Sequence, residues 1–289
     1  METLKRLKRF ARTCRVVRAL ALALATGLLL ASGSAAQAQC QVEGWTAAAE
    51  ANAQSLATLA WAPFARPETG WEAYVPLISR ETGTDCPPQS EGFAAAFAAW
   101  QGARGLVATG LMGEADFLAL KADVQARRPF LAVTAAGGGC PETADVIATV
   151  HAAESLGGKT VWARPSVLAA YRAMAAVARA EAPQIAEDPR NLMIFSGYRS
   201  PTLDAARCEA EGNCDGVARA RCSSHRTGLA LDLFVGQAEG FGADSTAETS
   251  RLALSKTATY RWLLANAGRF GFVNYPFEPW HWEWTGEAP

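Results

Sequence analysis

Residues 228–235 read Gly-Leu-Ala-Leu-Asp-Leu-Phe-Val, and this short alternation constrains the fold more than any other stretch of the chain. Leu229, Leu231, Leu233 and Val235 fall on one face of a strand, with Ala230, Asp232 and Phe234 on the other. A carboxylate on so apolar a strand is costly to bury unless a cation, hydrogen-bond donors or a metal ion meets it. The fold must therefore bring partners to Asp232. Two histidines are placed to serve. His225 precedes the strand across the Gly228 turn, and His281 lies near the C-terminus. Pro279 argues against a helix there and sets Glu278 in a loop at the mouth of the last strand.

Two imidazoles, one carboxylate and a second carboxylate close to the last ligand are the parts of a hydrolytic zinc site. Such a site keeps three protein ligands and an open fourth position for water. The metal lowers the pKa of that water from ~15.7 to about 7. Glu278 is the group that would take its proton and pass it to a leaving amine. One Zn2+ per chain is expected, on His225, Asp232 and His281. The remaining histidine, His151, has no ligand-spaced neighbour and reads as a structural or surface residue.

The chain begins with the pattern of an export signal. Seven basic residues between Lys5 and Arg18 precede an apolar run from Ala19 to Ala31, too short to span a bilayer comfortably. Ala36-Gln37-Ala38 then offers an A-x-A cleavage pattern. Without residues 1–38 the chain keeps 20 basic and 27 acidic residues, a formal net charge of −7. That balance disfavours nucleic acid as a partner. No later apolar run is long enough for a membrane span, so an exported protein, periplasmic or wall-associated, is expected. Six cysteines remain, Cys40, Cys86, Cys140, Cys208, Cys214 and Cys222, with no C-x2-C pair among them. An even set in an exported chain reads as disulfides rather than a cysteine zinc site. Three of the six lie between residues 208 and 222, beside His225, and at least one bridge within that loop is expected. Arg219 or Arg221 on the same loop is a candidate partner for a substrate carboxylate, against the plainer reading of a stapled surface insertion.

The expected class is α+β, a small antiparallel sheet with helices carrying a zinc cleft, preceded by a small helical domain. Four segments follow: a signal at 1–38, a helical domain at 39–130, a linker at 131–164 and a peptidase domain at 165–289. Helices are expected over Trp45–Trp61, Phe93–Trp100, Pro165–Ala182 and Thr257–Arg269, and after the Ser200-Pro201 cap. Strands are expected over Leu192–Phe195, Gly228–Val235, Phe272–Tyr275 and His281–Trp284. Thr134–Pro141, rich in glycine, interrupts the helical pattern.

Three ordered motifs resemble the zinc D-Ala-D-Ala metallopeptidases, the family of vancomycin-resistance dipeptidases and carboxypeptidases. Its S-x-H-x-x-G-x-A-x-D lies on Ser223, His225, Gly228, Ala230 and Asp232. Its E-x-W-H lies on Glu278, Trp280 and His281, and its G-Y-R-S on Gly197, Tyr198, Arg199 and Ser200. The resemblance covers roughly residues 165–284. It implies zinc on His225, Asp232 and His281, with Glu278 as base and then acid. Arg199 would steady the charge developing on the scissile carbonyl. Ser223, Tyr198 and Asp204 would bind substrate, although Asp204 stands where relatives often carry Gln. The implied substrate is a peptidoglycan stem peptide, cut by a D-alanyl-D-alanine carboxypeptidase acting as a monomer. An L-Ala-D-Glu or D,D-endopeptidase would use the same site, and a non-catalytic wall-binding protein is the alternative of another class. Trp100-Gln101, Gly105-Leu106, the spaced Gly110 and Gly113 and the run to Leu120 resemble a three-helix peptidoglycan-binding domain, with Asp116 where that family usually has Thr. Glycan is thus a second candidate partner.

Overall fold

The computed structural model describes residues 40–141, 147–212, 214 and 221–288. The proposed signal and Arg219 lie outside them. The N-terminal part is helical: α1 (Thr46–Ser55), α2 (Val75–Thr82), α3 (Glu91–Ala103), α4 (Glu114–Gln125) and α5 (Pro129–Val133), with a two-stranded ribbon, β1 (Ala60–Trp61) and β2 (Glu68–Thr69), between α1 and α2. In α3, Ser90 caps the helix by accepting from the Phe93 N–H at 3.2 Å. Phe93, Phe97 and Trp100 follow on one buried face, their rings stacked 6.0 and 5.4 Å apart. The adjacent Gln101 is buried and structural. Its amide donates to Asp116 at 2.9 Å, and its oxygen accepts from the Gly110 N–H at 2.8 Å. The expected helix over Trp45–Trp61 stops at Ser55, because the chain turns to form β1. Residues 134–138, within the stretch expected to interrupt the helical pattern, instead continue α5 as a wide helical turn; Pro129 sits at a helix N-terminus, where it costs nothing.

The C-terminal part opens with a second ribbon, β3 (Ala148–Thr149) and β4 (Trp162–Ala163), followed by the long α6 (Pro165–Glu181) and short α7 (Pro183–Ala186). Then come β5 (Ile194–Ser196), α8 (Pro201–Ala210), β6 (Ala230–Leu233), α9 (Glu248–Ser255), α10 (Ala258–Asn266), β7 (Phe272–Tyr275) and β8 (Glu278–Trp284). The four strands β5 to β8 form one antiparallel sheet in the order β5-β6-β8-β7. The class is α+β, as expected. Both faces of β6 are buried, so its polar face looks into a closed site rather than into water. Glu278 is the first residue of β8 and not part of a loop. Pro279 is tolerated because β6 pairs only with residues 281–283, so no N–H is required of it on that side.

The two parts share one hydrophobic core, running from Trp61 to Trp282. Phe64, in the turn between β1 and β2, packs its ring 5.1 Å from Phe277 and 5.8 Å from Tyr275. Beside it, buried Glu68 takes Arg251 of α9 at 2.9 Å and the Tyr74 hydroxyl at 2.7 Å. Disulfides join Cys40–Cys86, Cys140–Cys222 and Cys208–Cys214. The last is the expected bridge within the loop. The second ties the segment after α5 to the residue preceding Ser223.

Candidate active site

The site grows from the pairing of β6 with β8, which sets Asp232 directly opposite His281. Asp232 Oδ1 lies 2.8 Å from His281 Nδ1 and 3.2 Å from His225 Nε2. His225 arrives on a short 3-10 turn, Ser224–Thr227, that ends at Gly228 with φ +69°. That left-handed residue bends the chain from the histidine into β6. All three side chains are buried.

Each imidazole is oriented by its outer nitrogen. His225 Nδ1 is 2.6 Å from the Gly197 carbonyl, and His281 Nε2 is 2.9 Å from Ser224 Oγ. Gly197 must be glycine, since a Cβ there would stand 2.2 Å from the Trp162 carbonyl oxygen. With the outer nitrogens engaged, His225 Nε2 and His281 Nδ1 face the carboxylate. One donor atom from each of the three residues lies within 4.8 Å of the other two. Two imidazole nitrogens and a carboxylate oxygen converging on one point form a donor set that fits zinc once the proton between His281 and Asp232 is displaced.

Protonation is divided unevenly. Burial lowers His225, and the nearby Arg199 cation helps, so that its pKa falls to about 4 despite Asp232. Burial also opposes charge on His281, but hydrogen bonds with Asp232 and Glu283 overcome it and push the pKa up to about 9. Asp232 resists its own burial and stays well below the usual carboxylate range, because both imidazoles favour its charged form.

Glu278 Oε2 is 4.0 Å from His281 Nδ1, beside the convergence point, and the residue is buried. Arg199 donates from Nε to Asp204 at 3.0 Å and from Nη1 to Ser196 Oγ at 2.9 Å, and its Nη1 is 3.8 Å from Asp232 Oδ2. Asp204 was expected on substrate, but it is buried. Its carboxylate holds Arg199 and accepts from Ser223 Oγ at 2.8 Å, so it positions both. The Ser223 hydroxyl points at Asp204 for the same reason. Tyr198 is half-buried, and its backbone N–H is anchored on the Trp162 carbonyl. Arg221 is mostly exposed and pairs with Glu209 at 2.7 Å, consistent with a surface insertion. His151 is exposed, away from the cluster.

Sequence reading missed Ser224 and Glu283. Ser224 was legible as the middle residue of the Ser223–His225 motif. Glu283 shares a strand face with His281 two residues away, among tryptophans.

Comparison with curated proteins found no match. A solved structure described as that of the LdcB LD-carboxypeptidase, revealing the molecular basis of peptidoglycan recognition, aligns at 23% identity over 51% of this chain and 66% of that one, with a TM-score of 0.32. Residues 161–287 match the family model VanY, D-alanyl-D-alanine carboxypeptidase. The matched stretch holds His225, Asp232, His281, Glu278 and Arg199, and this C-terminal part of the chain is similar to the VanY-type peptidases.

Proposed function

We propose that this chain is a zinc-dependent peptidase of peptidoglycan stem peptides, removing a terminal D-alanine as a D-alanyl-D-alanine carboxypeptidase. The observation that carries the reading is the convergence of His225, Asp232 and His281 within 4.8 Å, with Glu278 beside them. The family match supports the hydrolase class.

Bound zinc supplies Lewis acidity and makes water a nucleophile near neutral pH. The chain's own residues do the rest. Glu278 accepts the proton of the attacking water and returns it to the amine as the peptide bond breaks. Arg199, held by Asp204 and Ser196, is a fixed cation at the site's edge that steadies negative charge on the carbonyl oxygen. Its side chain does not need to reorganise, because both partners already hold it. Gly197 and Ser224 keep the imidazoles turned inward. The N-terminal helices are proposed as a peptidoglycan-contacting part. Three disulfides fit an oxidising compartment and hence an exported protein.

The test is incubation of the mature protein with defined muropeptides and weighing of the products. Loss of one terminal D-alanine from pentapeptide stems is expected. Cleavage at an internal bond would make the protein an endopeptidase with the same site, and no cleavage of any stem peptide by zinc-loaded protein would overturn the reading.

A further inference from the structure

We infer that Arg128 and Glu283 are positioning residues for the metal site, an ion pair that orients His281 and strengthens it as a donor. Arg128 lies outside the matched family segment, so the N-terminal part of the chain supplies part of the site's support. The inference rests on the zinc reading of His225, Asp232 and His281.

Glu283 is 1% exposed, with Oε1 3.4 Å from His281 Nε2, the nitrogen that faces away from Asp232. Both its oxygens are fixed from the N-terminal part. Arg128 Nε donates to Oε1 at 2.8 Å, with Nη2 at 2.5 Å from the same atom, and the Phe130 N–H donates to Oε2 at 3.2 Å. Arg128 is itself buried, and its guanidinium lies 4.3 Å from the centre of the Tyr275 ring. That ring stands edge-on to His281, with centroids 6.2 Å apart. One arginine thus touches both the carboxylate at the outer nitrogen and the aromatic ring that packs against the imidazole.

Packing alone does not account for the pair. Desolvating two charges offsets most of their attraction, and apolar residues of similar size commonly serve a core as well or better. The position of the carboxylate does account for it. An anion at the outer N–H of a ligating histidine fixes the tautomer and ring angle and raises the electron density at the inner nitrogen. Ser224 Oγ alone, a neutral acceptor, gives orientation without that charge. Arg128 in turn holds Glu283 in place through Oε1.

The test uses the full mature chain as wild type, Glu283→Gln, Glu283→Asp and the double variant Arg128→Met/Glu283→Gln. Zinc affinity is measured by competition with a chromogenic chelator, alongside the visible spectrum of the Co2+-loaded protein and thermal unfolding. Glu283→Gln and the double variant should bind zinc about 10–100-fold more weakly, with a shifted Co2+ spectrum. The double variant should unfold nearer to the wild-type temperature than Glu283→Gln, because no lone buried charge remains. Glu283→Asp keeps the charge pair but withdraws the carboxylate from His281, so a smaller loss of affinity is expected. Wild-type zinc affinity and Co2+ spectrum in the folded double variant overturn the inference; if that variant does not fold, the same result in Glu283→Asp does so. A wild-type chain that takes up no zinc sinks the metal reading itself, whereas tight zinc in every variant sinks only the role of the pair.

Discussion

Asp232 and His281 stand opposite each other on neighbouring strands, with Oδ1 and Nδ1 2.8 Å apart. An anion and an imidazole nitrogen this close share a proton when nothing else lies between them. Zinc uptake must displace that proton, so binding should release acid and weaken as pH falls. The strand register therefore does more than hold the sheet. It presets the spacing of two donors before any ion arrives.

Alanine at His225, Asp232 or His281 should lower metal content and turnover together. Wild type is expected to carry about one zinc per chain and to lose activity on chelation. Elemental analysis of purified protein checks this, and stoichiometric zinc in His281→Ala would falsify the ligand set.

Glu278→Gln preserves shape and hydrogen bonding but cannot accept a proton from water. Turnover should fall on the order of 10²–10⁴-fold with zinc content near wild type. Normal turnover in this variant means that another group is the base.

Asp204→Asn should act through Arg199. Loss of the buried charge releases the guanidinium from its fixed position, and a misplacement of about 1 Å can cost ~10²-fold in rate. A fall in kcat/KM of about 10–10²-fold is expected with zinc affinity unchanged. Should zinc be lost in step with activity, Asp204 supports the ligands instead.

A fragment beginning at Gly139 should not fold as the full chain does. It lacks Phe64, which covers Tyr275 and Phe277, and Arg128, which neutralises Glu283. Uncovering each such side chain forfeits roughly 1.5–3 kcal/mol. Thermal unfolding of the fragment checks this, and a wild-type midpoint with full activity on soluble stem peptides would show the N-terminal part to be an independent attachment.

Stability should fall steeply at alkaline pH. Burial raises Tyr171 to about 12, and raises Tyr74 and Tyr260 further, from an unfolded value of 10.0. For a group with a raised folded pKa, its contribution is complete below the unfolded pKa and is lost as pH rises toward the folded one. The loss should therefore begin near pH 10. Phenolate absorbance and circular dichroism, followed together, should change in one step; early phenolate absorbance in a still-folded protein sinks this prediction.

Much of the site was legible because its residues sit in short motifs with clear periodicity. The alternation around Asp232 located both the strand and the face that meets His281, and Ser200-Pro201 located the start of α8. Arg128 and Glu283 were not legible as a pair. They are 155 residues apart, and nothing local distinguishes Arg128 from a surface arginine. The shared core escaped notice for the same reason. Nothing in the local sequence distinguishes Phe64 or Phe277 from an apolar residue near a turn, and only the tertiary fold shows that they touch. The hold of Asp204 on Arg199 was not legible, because a carboxylate at a helix N-terminus near an arginine reads equally well as an anchor for substrate or for the arginine itself.

The strand that carries Glu278 and His281 is the last among the described residues, yet it lies inside the sheet, between β6 and β7. A chain cut before residue 278 lacks the proposed base and one proposed ligand, and leaves the two halves of its sheet unjoined. Under the proposed function, hydrolytic capacity therefore arrives all at once, when residues 278–284 join the sheet. On that reading, copies cut before residue 278 are inert, a safety catch set by strand order alone.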